Sequence, residues 1–128
     1  MPAPHSYDYA LIRAVPRVER GEFVNVGVIL SCPGHEFLAA GICIDRARLA
    51  ALDPQLDIDA LEQHLRSIPV LCAGGAAAQA LGKLSQRERF HWLVAPRSAM
   101  IQTSPVHTGR CENPQATLEL LMRTMVAL

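Results

Sequence analysis

Residues 7–32 read YDYALIRAVPRVERGEFVNVGVILSC, two apolar runs around a charged turn that holds Arg17, Glu19, Arg20 and Glu22. Alternation of period two on both sides of a Pro- and Gly-containing break predicts a β-hairpin with a polar apex. The same alternation continues outward. Ala10, Ile12 and Ala14, then Val24, Val26, Val28, Leu30 and Cys32, then Leu38, Ala40, Ile42 and Ile44 all occupy even positions. Three strands are therefore expected to share one buried face. Pro33-Gly34-His35-Glu36 reads as a second hairpin loop, so consecutive antiparallel pairing follows. The odd positions, Tyr7, Tyr9, Leu11 and Arg13, then Phe23, Asn25, Gly27 and Ile29, are mixed and form a partly exposed face. A hairpin centred near Glu19 sets Arg13 opposite Asn25, with open space expected at Gly27.

Helical signals take over after residue 44. Asp45 caps a short segment to Leu52, and Asp57 precedes Ile58, Leu61, Leu65, Ile68 and Cys72, spaced for one helical face. Pro69 is expected to end or kink that helix, and Gly74-Gly75 with the following alanines to act as a pliable connector. Ser85 and Glu88 have capping-box spacing for a helix that carries Phe90, Trp92 and Leu93 into the core. Ala99 to Thr103 reads as a fourth strand. Asn113-Pro114 starts a last helix with Leu118, Leu121, Met122, Met125 and Val126 on one face. The order predicts an α+β fold: an antiparallel β-meander sheet of about four strands with helices packed on one face.

A chain of 128 residues, half of them hydrophobic and 19% charged, fits a single domain over residues 1–128 with its own core. Twelve basic residues balance twelve acidic ones, which argues against a general nucleic-acid binder. No apolar run approaches the roughly eighteen residues of a membrane helix. The first residues lack a basic and an apolar signal region, so a cytoplasmic location is expected. Cys32, Cys43, Cys72 and Cys111 are scattered singly and read as reduced thiols, with no metal site expected.

Two polar clusters are candidate sites. At the hairpin apex, Arg13, Arg17 and Arg20 with Glu19 and Glu22 offer forked guanidinium donors to a phosphate or carboxylate. The same residues equally describe a solvated loop that keeps the sheet edge soluble. Downstream, Arg97, Gln102, Ser104, His107, Thr108 and Gly109 offer hydroxyls, backbone N–H groups and a residue that titrates near neutrality. That stretch also has the composition of a connecting loop. The chain contains no G-x-S-x-G, Walker-type or G-x-G-x-x-G motif, and Asp53, Asp57 and Asp59 are accounted for as helix-entry residues. No cofactor is implied.

YDYALIRAVPRVERGEFVNVGVIL, IPVLCAGG (residues 68–75), LSQRERFHWLVAPRSAMIQTSPVHTG (residues 84–109) and the closing helix resemble the bacterial domain of unknown function 3037 family, over essentially the whole chain. The resemblance carries no assigned catalytic residues. It implies a small bacterial protein encoded beside kinase-like proteins, which makes such a protein a partner to expect. The reading is a noncatalytic partner- or ligand-binding module using Arg13, Arg17, Glu19, Asn25, Arg97, Ser104 and His107. The rival is an enzyme or a nucleotide- or phosphate-processing protein, with His107 as acid or base beside an anion site of Arg13, Arg17 and Arg97.

Overall fold

The computed structural model describes residues 4–96 and 99–127; Arg97, a candidate site residue, lies outside them. Strands β1 (His5–Ala14), β2 (Val24–Cys32) and β3 (Phe37–Ile42) form the expected antiparallel meander. Helices α1 (Arg46–Leu52), α2 (Ile58–Ala73) and α3 (Gln86–Leu93) follow, then β4 (Ile101–Thr103), β5 (His107–Cys111) and α4 (Pro114–Leu121), which ends in a π turn, Met122–Val126. The class is α+β. Strand order is β3-β2-β1-β4, and β5 also pairs with β1, beyond β4 along the same edge. Among the described residues no helix is long and apolar enough to cross a membrane.

Local chemistry sets the helix boundaries. Asp45, Asp57 and Asn113 each accept a hydrogen bond from a first-turn N–H group, and Ser85 with Glu88 closes a capping box. Helix α2 runs on through Pro69, where an end or a kink was expected, and ends at Gly74. Leu65, Ile68 and Cys72, buried on both sides of the proline, hold the segment helical. Gly74 has φ of 73°, and a Cβ there would press into the Arg89 guanidinium. Buried Arg89 donates to the Cys72 carbonyl at 3.3 Å and to the Leu84 carbonyl, tying the end of α2 to α3.

The single shared even face is overturned by a β-bulge. Ile12 pairs with Gly27 and Arg13 with Asn25, so Val26 is one residue extra on β2. Beyond it the phase of β2 reverses. Val24, Val26 and Ile29 join Ile12, Ala14 and Leu38 beneath α2 and α3, while Val28, Leu30 and Cys32 point to the other face, against Leu118, Leu121 and Val126. Helices thus lie on both faces: α4 covers the side that was expected to be open. Arg13 does stand opposite Asn25, but Gly27 leaves no open space. A Cβ there would strike the Gly41 carbonyl and crowd the Ile12 and Ile42 side chains.

Three further differences have local causes. The polar stretch at residues 107–111, expected as a loop, is an edge strand paired to His5–Ala14 through Tyr9↔His107 and Tyr7↔Gly109. Trp92 is 42% exposed, outside the core that holds Phe90 and Leu93. Met125 is 43% exposed while Val126 is buried, because the wider π turn brings position i+5 rather than i+4 back over Leu121.

Candidate functional site

Helix α4 and its π turn pack chiefly on β2 and β3. The β1 side of that same face is left with half-buried Tyr7, Tyr9, Leu11 and Arg13, and β5 adds exposed His107. These side chains share one face in two contact groups. The Tyr7 and Tyr9 rings are 6.1 Å apart, Tyr9 and His107 are 5.4 Å apart, and the Arg13 guanidinium lies 4.2 Å over the Phe23 ring. Phe23 is 45% exposed, so the stacked pair carries the strip to solvent at the hairpin end.

Arg13 and Asn25 form its polar end. Asn25 Nδ2 donates to the Met125 carbonyl at 3.3 Å, which ties β2 to the π turn. Arg13 Nε and Asn25 Oδ1 are buried, and neither has a hydrogen-bond partner among the described residues. A donor and an acceptor therefore stand unpartnered in one cross-strand pair, an arrangement native interiors rarely leave unfilled.

The other candidate residues are dispersed. The Arg17 guanidinium lies 3.8 Å from the Asp53 carboxylate, and Glu19 is exposed. Arg20 pairs with Glu22 at 2.5 Å. Ser104 is 3% exposed, and its hydroxyl accepts from the Leu11 N–H at 2.8 Å and donates to the Pro105 carbonyl at 2.9 Å. It carries strand pairing across the proline break between β4 and β5. His107 and Arg13 share a face but stand four positions apart along β1, about 13 Å at the usual rise per residue. Neither Arg17 nor Arg13 converges on His107, as an acid–base site would require.

Two features escaped the sequence reading. On the α3 side, Asp8 accepts from Arg87 at 2.5 Å and from Thr108 at 2.7 Å, and Arg87 also donates to buried Ser31 at 3.0 Å. Burial raises the Asp8 carboxyl, but these hydrogen bonds and the Arg87 and His91 charges outweigh it, so Asp8 titrates below its ordinary range. The available signal was an acid in an otherwise apolar alternation. The second feature is a cleft of about 560 Å³ between α2, α3 and β4, lined by Leu61, Leu71, Trp92, Leu93, Met100 and Ile101 among others. No local pattern foretells it, since its walls come from three separate segments.

All four cysteines are free thiols. Burial pushes the Cys72 thiol up to about 12, although the Arg89 charge pulls the other way, so it packs as an apolar side chain rather than a nucleophile. Among the described residues no three His, Cys, Asp or Glu side chains gather as a metal set.

The sequence pattern of the family described as Protein of unknown function (DUF3037) matches residues 9–126 of this chain. No curated protein and no solved structure matches it.

Proposed function

We propose that this chain, which belongs to the family described as Protein of unknown function (DUF3037), is a noncatalytic binding module that docks a protein partner on the β1 side of its sheet, at the margin of the α4 cover. The observation that carries the reading is the strip Tyr7, Tyr9, Leu11, Arg13, Phe23 and His107 at the margin of the α4 cover, where Tyr7, Tyr9 and Leu11 pack against the α4 cluster yet stay half-buried and Phe23 and His107 are exposed. Tyrosine and arginine supply most hot-spot energy in protein interfaces, because each joins a large apolar surface to a polar end. A kinase-like protein encoded nearby is the first partner to test, and it would stay in the cytoplasm with this chain.

A photo-crosslinking amino acid at position 9, with a second protein carrying it at exposed Gln63 on α2, tests the surface directly in the native host. A discrete crosslinked product is expected from position 9 and not from position 63. Tyr9→Ala is then expected to weaken the purified complex by about thirtyfold, the scale of an interface hot spot. Equal labelling from both positions, or binding indifferent to Tyr9, defeats the reading.

A further inference from the structure

Independently of that surface, we infer that two copies of this chain pair through β3, edge to edge and antiparallel, joining their sheets across a two-fold axis at Ala40. Among the described residues β3 pairs with β2 on one side only, so it forms one margin of the sheet, the margin opposite β5. The Cys43 N–H donates to the Val26 carbonyl at 2.8 Å. Bonding direction alternates along an antiparallel strand, so Gly41, Ala39 and Phe37 also direct their backbone groups to β2. Leu38, Ala40 and Ile42 therefore turn an N–H and a C=O each outward, and among the described residues none of these groups has a partner.

The two margins differ in how they are guarded. Strand β5, HTGRC, is short, follows the Pro105 break and carries Arg110, devices that keep an edge from pairing with another chain. Strand β3, FLAAGI, has no charge, no proline and no register shift. A second copy fits it on two counts. Antiparallel pairing about Ala40 sets Leu38 of each copy opposite Ile42 of the other and Ala40 opposite Ala40, which satisfies every outward group of both strands at once. The same register sets exposed Glu36 of one copy opposite Ile44 of the other, at the foot of the first turn of α1 with Arg48. Among the described residues neither the Glu36 carboxylate nor the Arg48 guanidinium has an ion-pair partner within its own chain, so opposite charges meet at both ends of the paired strands. The axis closes the assembly at two copies and leaves the tyrosine strips on its two far sides.

Purified protein tests this without any other partner. Sedimentation equilibrium is expected to show monomer passing to a single dimer as concentration rises through the micromolar range. Amide exchange locates the contact. Leu38, Ala40 and Ile42 should gain at least about tenfold protection on dimerisation, while Thr108 and Arg110, which point outward on the β5 margin, gain none. Ala40→Pro removes an N–H that no bond within the chain uses, so the melting transition should remain while dimerisation weakens about thirtyfold, the loss of the two central bonds. Glu36→Arg and Arg48→Glu should each weaken the dimer alone and restore it when mixed, because the axis then sets opposite charges together at both ends. A chain that stays monomeric overturns the inference, as does a dimer whose outward β3 amides exchange as freely as in the monomer, or a folded Ala40→Pro that dimerises like wild type. Charge variants that associate no better mixed than alone overturn the register. The wild-type exchange pattern decides by itself if Ala40→Pro does not fold.

Discussion

Beneath α2 and α3, the sheet buries Ile12, Ile29 and Phe90 to 1% exposure or less; on its other face Val28, Leu30 and Cys32 are as deeply buried under α4, but Phe23 remains 45% exposed. Both faces are made by the same three meander strands. The difference lies in cover. Three helices and the far end of the meander close the first face, whereas α4 and its π turn pack chiefly on β2 and β3 on the second and leave the β1 side chains Tyr7, Tyr9 and Leu11 half-buried at their margin. One face is a core, and the other is a smaller core with a polar-aromatic strip beside it. A single exposed apolar side chain is ordinary on a protein surface, but Tyr7, Tyr9 and His107 in ring-to-ring contact, with Arg13 stacked on Phe23 along the same face, are not explained by burial alone.

The largest effect should come from the first face. Phe90→Ala removes a ring that is 1% exposed and is expected to lower stability by about 3–5 kcal/mol in urea denaturation. Tyr9→Ala on the second face, where the ring is only half-buried, should cost well under half of that. Equal losses would erase the distinction between core and docking strip.

Much of this contrast was hidden from the sequence for a physical reason. Caps are local: Asp45, Asp57, Ser85 and Asn113 announce helix starts through bonds to N–H groups three residues away. Alternation is local too, and it located β1, β2 and β3 and the Arg13–Asn25 pairing. The bulge at Val26 is not local. Val28, Ile29 and Leu30 are apolar at consecutive positions just past the bulge, so alternation does not mark where the phase reverses; the second core under α4 makes both phases acceptable. Strand β5 fails for the converse reason. HTGRC has a polar loop composition and becomes a strand only because β1 offers an unpaired edge. The candidate site split along the same line. Arg13 and Asn25 were found as polar residues at strand positions and His107 in a polar stretch read as a loop, while the tyrosines gained significance only once strand pairing brought them beside His107.

An intermediate effect tests the clamp that fastens α3 to the first face. Asp8→Asn keeps the shape but removes the charge that holds Arg87, and should cost about 1 kcal/mol near neutrality, discounted because the Arg87 side chain is 40% exposed. The sign of its pH dependence follows from a folded carboxyl held below its ordinary value of 3.8. Its stabilisation is complete above that value and is lost as pH falls through the folded value. Denaturation of wild type and Asp8→Asn should therefore differ at about pH 7 and converge towards about pH 2. A gap that persists in acid would assign the clamp to packing instead.

The smallest stability effect should come from the exposed end of the docking strip. Phe23→Ser removes a ring that is 45% exposed and whose main described contact is the Arg13 guanidinium 4.2 Å above it. A cation–π contact at such a site contributes about 0.5–1 kcal/mol, so the denaturation midpoint should barely move. Loss of the ring also frees the Arg13 head, which then samples orientations that no longer present it beside Asn25. A docking role therefore predicts a split: near-native stability with partner binding weakened by about tenfold, and Phe23→Tyr restoring it because the stacking surface returns. If Phe23→Ser changes neither quantity, the strip ends at Arg13. If it lowers stability as much as Phe90→Ala, the second face is a core like the first, and the strip is the edge of that core.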